Sequence, residues 1–281
     1  MKSTEQKIYG RNACLSFAKS SPKTVIRAYC TEENRGRLGS LLKFLASQKR
    51  AYHIVSSDDL NKICESEHHE GVCLLVERMQ PGDETQLLKD LQAVPKIGSN
   101  LLLCLDGITN PHNLGAITRT AAHFGIKKIF LCNIPVESQK SLVSGAFHRT
   151  AEGGAVHVEL YCSAEGKSAL EALKKQHGWN VFATSSYGRS QSLHKISFPQ
   201  KLILVMGSES QGVGDSILQI ADSKVCINGT GHVESLNVAS ATAILLNEYA
   251  RQKENYRSAV SRPTAIPTRA VRAEGRNRKG S

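Results

Sequence analysis

"LLLCLDGITNPHNLGAITRTAAHFG", residues 101–125, passes from one hydrophobic pattern to another across a short polar turn. Residues 101–106 are a continuous apolar run closed by an acid, as expected for a strand buried on both faces of a parallel sheet. Residues 113–125 carry apolar side chains at helical spacing, and Gly125 stands where such a helix would end. Asp106 and Asn110 are turn formers ahead of Pro111, and Asn113 is expected to cap the helix. A buried strand that turns into a helix is one βα unit. The fold follows if that unit recurs.

It does recur. "KKIFLCN" (127–133), "AVHVELY" (155–161), "WNVFATS" (179–185), "KLILVMG" (201–207) and "SKVCIN" (223–228) have the composition of further strands. Helices are expected near 140–150, 166–177, 214–221 and 236–252. This alternation predicts a doubly wound α/β domain with a mostly parallel sheet, in which ligands bind beyond the carboxyl ends of the strands. Upstream, "TVIRAYC", "AYHIVS" and "GVCLLVE" are shorter strands separated by the helical stretches at 36–48 and 56–64, with Ser57 and Asp58 as expected caps of the second. They predict a smaller α/β unit. Pro-Gly and Pro-x-x-Gly-Ser bracket the stretch between the two, "MQPGDETQLLKDLQAVPKIGSN". The expected organisation is a small domain over 1–80, a linker over 81–98, a large domain over 99–254 and a disordered tail over 255–281.

The 281 residues carry a net charge of +11, unevenly placed. Residues 1–80 hold 13 Lys/Arg against 9 acids, residues 81–256 hold 16 against 15, and residues 257–281 hold 7 against 1. Basic ends around a neutral body suit contact with a polyanion through the appendages. No apolar run approaches the ~18 residues of a membrane span, and no apolar segment follows the charged opening "MKSTEQKIYGRN", so neither membrane nor secretory routing is expected. Eight cysteines are scattered singly without a C-x-x-C pair, which argues against a zinc ribbon and for thiols in a reducing cytoplasm. His68 and His69 are adjacent, so their side chains diverge, and no third ligand stands at metal spacing. No metal is expected.

Three strand ends carry polar clusters. The first, 106–119, ends on Arg119, nearly two turns into its helix, where a cation opposes the helix dipole and is better explained by an anionic ligand. The second, "VMGSESQGVGD" (205–215), places Glu209 between glycines directly after a buried strand. The third, "NGTGHVESLNVAS" (228–240), sets Ser235 and Asn237 at the mouth of a helix with a small-residue stripe at Ala239, Ala243 and Ala250. Neither G-x-G-x-x-G nor a P-loop is present, which disfavours a nicotinamide enzyme, and G-x-S-x-G is also missing, which disfavours a serine hydrolase.

In this order, "LDGITNPHNLGAITRTAAHFG", "LILVMGSESQGV" and "VCINGTGHVESLNVASATAILLNEYAR" resemble the three motifs of the SpoU/TrmH family of RNA ribose 2′-O-methyltransferases, over roughly 100–252. "KIYGRNACLSF" and "HHEGVCLLVE" resemble the small substrate-binding domain that precedes the catalytic domain in many members. The resemblance implies a C-terminal trefoil knot, S-adenosylmethionine held by loop backbone at Gly207, Ile227 and Leu236, and active-site residues Asn113, Arg119, Glu209, Ser235 and Asn237. It further implies homodimerisation through the knotted domain, to which the small-residue stripe is suited, and a structured RNA as substrate. Ribosomal RNA comes first, with a 23S guanosine as one candidate, and tRNA second; no DNA partner is expected. Many members carry a proline after the residue matching Ile227, where this chain has Asn228-Gly229. Two roles stay open for Arg119, anchoring the neighbouring phosphate or accepting the hydroxyl proton, because guanidinium is a reluctant base. An alternative from another class is a knotted RNA-binding protein without catalysis, acting in ribosome assembly.

Overall fold

The computed structural model describes residues 4–92, 100–185 and 190–253. The first part is a four-stranded sheet built from β1 (Glu5–Tyr9), β2 (Val25–Cys30), β3 (Tyr52–Ile54) and β4 (Val72–Glu77), in the order β1-β4-β2-β3. β4 pairs antiparallel with β1 and β2, and β3 joins β2 in parallel. Alternation aims Val72, Leu74 and Val76 at one face. There they meet Ala13 and Phe17 of α1 (Arg11–Ser20) and Leu41, Leu42 and Leu45 from beyond a short α2 (Glu32–Arg35), on α3 (Gly39–Ser47). Cys73 faces the other way, onto Leu60 and Cys64 of α4 (Ser57–Cys64).

Strand β1 and helix α1 are additions to the elements expected from residue pattern, since five residues of half-polar alternation give a weak period. The cap of α4 is Ser56, whose Oγ accepts from the Asp59 N–H at 3.1 Å, and not Ser57 or Asp58. His69 is buried and acts within its loop: Nδ1 accepts the Gly71 N–H at 2.9 Å, which leaves Nε2–H to donate to Asn61 Oδ1 at 2.8 Å.

The second part is a seven-stranded, wholly parallel sheet. After α5 (Glu84–Gln92) it runs through β5 (Asn100–Asp106), α6 (Pro111–His123), β6 (Lys128–Cys132), α7 (Val136–Leu142), α8 (Gly145–Ala151) and β7 (Glu159–Cys162). It continues with α9 (Lys167–His177), β8 (Asn180–Thr184), β9 (Gln191–Ser192), β10 (Lys201–Gly207), α10 (Asp215–Leu218), β11 (Ser223–Cys226) and α11 (Val238–Gln252). The strand order is β7-β6-β5-β10-β8-β11-β9. Residues 101–106 are buried throughout because the sheet is covered on both sides. Leu101, Leu103 and Leu105 pack towards α6, α8 and α11, while Leu102 and Cys104 pack towards α5 and α9.

The expected elements differ from the observed ones in several places. The cap of α6 is Asn110, whose side chain accepts the His112 N–H at 2.9 Å, with Pro111 in the first turn; Asn113 does not cap it. The helix expected near 140–150 is two, α7 and α8, separated at Val143 and restarted by the Ser144 cap. Residues 154–157 form a 3₁₀ turn, so β7 starts only at Glu159. The expected linker at 81–98 is in part a packed element: Leu87 and Leu91, one turn apart on α5, are buried beneath the large sheet. Gly82 also bonds to both Leu160 and Cys162. Residues 93–98 of that linker and the expected tail at 255–281 lie outside the described residues.

The two parts meet at α8. Its His148 is 2% exposed, edge-on to the rings of Phe17 and Phe147, and its Nε2 lies 3.2 Å from Gln6 Nε2 on β1. With the Gln6 amide donating, Nε2 is the acceptor and the ring is neutral. Burial holds the imidazole down, from an ordinary 6.5 to about 4. Between those values the unfolded chain binds a proton that the folded chain refuses. The contribution of His148 to stability is therefore complete above pH 6.5 and falls by about 3 kcal/mol as the pH drops to 4. Thermal melts from pH 7 to 4 should show this loss in the wild type and not in His148→Gln. An unchanged pH slope in the variant would assign the acid sensitivity to other groups.

Candidate active site

β5 and β10 are neighbours, with Asp106 in register with Gly207, so the first two polar loops leave the sheet side by side. Asp106 is buried and fastens them. Its Oδ2 accepts the Gly214 N–H at 2.8 Å, and its Oδ1 accepts Asn133 Nδ2 at 2.5 Å from the end of β6. The loop after β10 then folds back tightly: the Gly212 N–H donates to Ser208 O at 2.8 Å. A Cβ on Gly207 would stand 2.0 Å from Gly212 C and 2.2 Å from Val213 N, so the returning backbone occupies the space of any side chain.

The third loop, 227–237, leaves β11 and ends on Asn237, which caps α11. Asn237 Oδ1 accepts the Ala239 and Ser240 N–H groups at 3.0 and 3.4 Å. That commits its Nδ2 to face outward as a donor. It donates to Glu209 Oε1 at 2.6 Å and to Asn113 Oδ1 at 3.2 Å. One asparagine thus joins Glu209, on the loop after β10, to Asn113, in the first turn of α6, and both bonds are solvent-accessible. The junction gathers donors and acceptors around an exposed carboxylate, an arrangement that can orient a hydroxyl group.

Arg119 stands apart from this junction. It lies six residues beyond Asn113, about 9 Å along α6, and its Nη1 is 2.9 Å from Glu152 Oε1. A cavity of about 350 Å³ opens there, lined by Arg119, Thr120, His123, Ala151, Glu152 and Gly154. Ser235 lies on the exposed loop two residues before Asn237, and Leu236 between them is 44% exposed. Ile227 is half-buried against the core directly after β11. Gly229 has open space at its Cβ position, and Gly231 has φ +85. The site is therefore a junction of Asn113, Glu209 and Asn237, an apolar-flanked loop at 227–237, and Arg119 in a neighbouring cavity.

Two participants escaped the sequence: Asp106, taken only as a turn former, and Glu152. An acid closing a wholly apolar strand was the available signal for the first. Glu152 precedes Gly153-Gly154, and nothing in that local pattern announces a partner 33 residues upstream.

The two parts of the chain match two known domains. Residues 7–82 match the RNA 2′-O ribose methyltransferase substrate-binding domain, and residues 100–247 match the SpoU rRNA Methylase family. By class, then, the molecule is an RNA 2′-O-ribose methyltransferase with a substrate-binding domain attached. The chain belongs to the SpoU rRNA methylase family. It is 37% identical to the uncharacterized tRNA/rRNA methyltransferase YfiF of Escherichia coli O157:H7, over 89% of this chain and 69% of that protein. It is 32% identical to the 23S rRNA (guanosine-2′-O-)-methyltransferase RlmB of Pasteurella multocida, over 88% of this chain and 98% of that one. Its fold is that of the SpoU methyltransferase AviRb from Streptomyces viridochromogenes, solved with AdoMet. The TM-score is 0.70 at 18% identity, over 89% of this chain and 91% of that one.

Proposed function

We propose that the chain methylates a ribose 2′-hydroxyl of ribosomal RNA, with a 23S guanosine as the first candidate and tRNA as the second. S-adenosylmethionine supplies the methyl group when bound. The observation that carries this is the junction of Asn113, Glu209 and Asn237, placed at the carboxyl ends of β5, β10 and β11 where parallel sheets bind ligands. The RlmB relative at 32% identity, covered almost end to end, supports the ribosomal substrate.

The residues present fit that cofactor. A nucleoside that carries a sulfonium-bearing amino acid is held largely through apolar contact and through backbone donors and acceptors. The 227–237 loop offers both, with Leu236 and Ile227 apolar, and glycines at 229 and 231 that leave room at the backbone. Gly207, Ile227 and Leu236 are assigned to hold it. Asn113, Asn237, Glu209 and Ser235 orient the ribose hydroxyls, and the fixed junction replaces solvent reorganisation with a prepared hydrogen-bonding surface. Arg119 meets Glu152 through Nη1 and lines the cavity, so its other N–H groups remain as donors for an anion there. This favours anchoring of the adjacent phosphate over acceptance of the proton.

A homodimer belongs to the same proposal, supported by exposed Val233, Leu236 and Ile244 around α11 and by the small residues Ala239, Ala243 and Ala250. So does the trefoil knot, supported by β10 lying between β5 and β8 while Asn237, at the end of the 227–237 loop, bonds back to Glu209 after β10 and to Asn113 on α6. Eight free thiols, seven of them buried, support a cytoplasmic setting. Among the described residues no helix is long and apolar enough to cross a membrane.

The test is a site-by-site map of 2′-O-methylation in total RNA from a strain lacking this gene and from its parent. A mark that vanishes, and returns with the wild-type gene alone, identifies activity and substrate together. An unchanged map, with no S-adenosylmethionine binding by calorimetry, would move a non-catalytic RNA-binding role to the front.

A further inference from the structure

We infer that Glu152 is a positioning residue for Arg119, and that docking of the N-terminal domain sets where Glu152 stands. This rests on the role proposed above for Arg119. The Arg119–Glu152 pair, 2.9 Å apart, leaves both side chains roughly half exposed, so it contributes little to stability. The backbone that presents it is nonetheless unusual. Glu152 closes α8 in the left-handed region, φ 45, which non-glycine residues rarely adopt. Gly153 and Gly154 follow, and the space at each is already taken. A Cβ on Gly153, φ +87, would lie 2.2 Å from Ser16 Oγ on α1 of the N-terminal domain. A Cβ on Gly154 would lie 3.0 Å from the Cα of Arg119 itself. The turn is clamped between the two domains, with Arg119 on one side and the substrate-binding domain on the other.

The same helix is held twice more. Gln6 of β1 meets His148 in the interface, and Thr150 Oγ1 lies 3.3 Å from Nδ1 of His112 in the first turn of α6. Helix α8 is thereby tied to the N-terminal domain through Gln6, with Ser16 packed against the turn that follows it, and to the motif helix α6 through Thr150 and Glu152. The Nη1–Oε1 contact tethers one end of the guanidinium beside Glu152, which narrows the directions its remaining donors can take. Those directions include the cavity lined by Arg119, His123 and Gly154. Without Glu152, a long side chain would sample many rotamers before meeting the RNA. The loss would fall on the rate and not on cofactor affinity.

The experiment uses the full chain, S-adenosylmethionine and deproteinised ribosomal RNA from a strain lacking the gene. Glu152→Ala should lower kcat roughly tenfold at unchanged KM for S-adenosylmethionine, and Glu152→Gln, which keeps an acceptor oxygen, should return to within about threefold of wild type. Gly153→Ala should also lower kcat, and should add nothing in the Glu152→Ala background because both act through one path. A merely structural role would give additive losses and no rescue by Gln, which would overturn the inference. So would a Glu152→Ala enzyme as fast as wild type, or faster. Absence of transfer by the wild-type chain would overturn the proposed function and this inference together; wild-type transfer unaffected by Glu152→Ala would overturn this inference alone.

Discussion

Arg119→Ala should reduce methyl transfer by about 10²-fold or more while S-adenosylmethionine still binds. The side chain is 58% exposed and contributes nothing to the core, because α6 packs through Leu114, Ile117 and Ala121 on its opposite face. Removing it should therefore change stability by no more than about 0.5 kcal/mol, as for other surface substitutions. The assigned cofactor residues lie at the end of β10 and on the chain after β11, and none of them lines the cavity at Arg119, which is why binding and transfer should separate. Arg119→Lys refines the result. A phosphate anchor keeps its charge in Lys and should retain a part of the rate, whereas a role that needs the planar fork should be lost as fully as in Ala. Single-turnover transfer and calorimetry on the same preparations decide it; parallel loss of cofactor binding in Arg119→Ala would count against the assigned role.

Gly207→Ala should be the most damaging single methyl group that can be added near the site. The new Cβ would meet Gly212 C, Val213 N and Gly212 O at 2.0 to 2.3 Å, all backbone atoms of the returning chain. No side-chain rotation relieves such a contact. The turn at 208–212 must open, and with it go the Asp106–Gly214 bond and the approach of Glu209 to Asn237. Overpacking that forces backbone movement typically costs about 1–3 kcal/mol or more. Transfer and S-adenosylmethionine binding should here fail together, with a lowered melting temperature, in contrast to Arg119→Ala. A Gly207→Ala protein with wild-type melting and cofactor affinity would show that the turn adjusts freely.

Much of this site is legible along the chain because each part is local. Strand ends with glycines and polar residues occur directly after apolar runs at 106, 207 and 227, and parallel sheets place such ends together. Asn113, Glu209 and Asn237 stand at or just beyond those ends, the family resemblance marks them as site residues, and they share one set of hydrogen bonds. Caps were harder to assign: Asn110 and Asn113, or Ser56 and Ser57, offer the same chemistry one to three residues apart, and only backbone angle selects between them. The division at 81–98 shows a related limit. Proline and glycine mark where chain direction changes, but Leu87 and Leu91 decide that α5 packs, because buried apolar area outweighs the punctuation around it.

By itself the sequence determined the alternation of buried strands and amphipathic helices, hence the parallel sheet and the edge where its loops converge, since hydrophobic period is a local property. It also determined which side chains stand at those loops. The tertiary structure alone decided which of them touch. Asp106 became a clasp for two strands, Asn237 a link between Glu209 and Asn113, and Arg119 the partner of Glu152. Such pairings span separations of 27 to 124 residues along the chain. They depend on strand register and on the clamping of α8 between two domains, and neither is encoded in any short stretch.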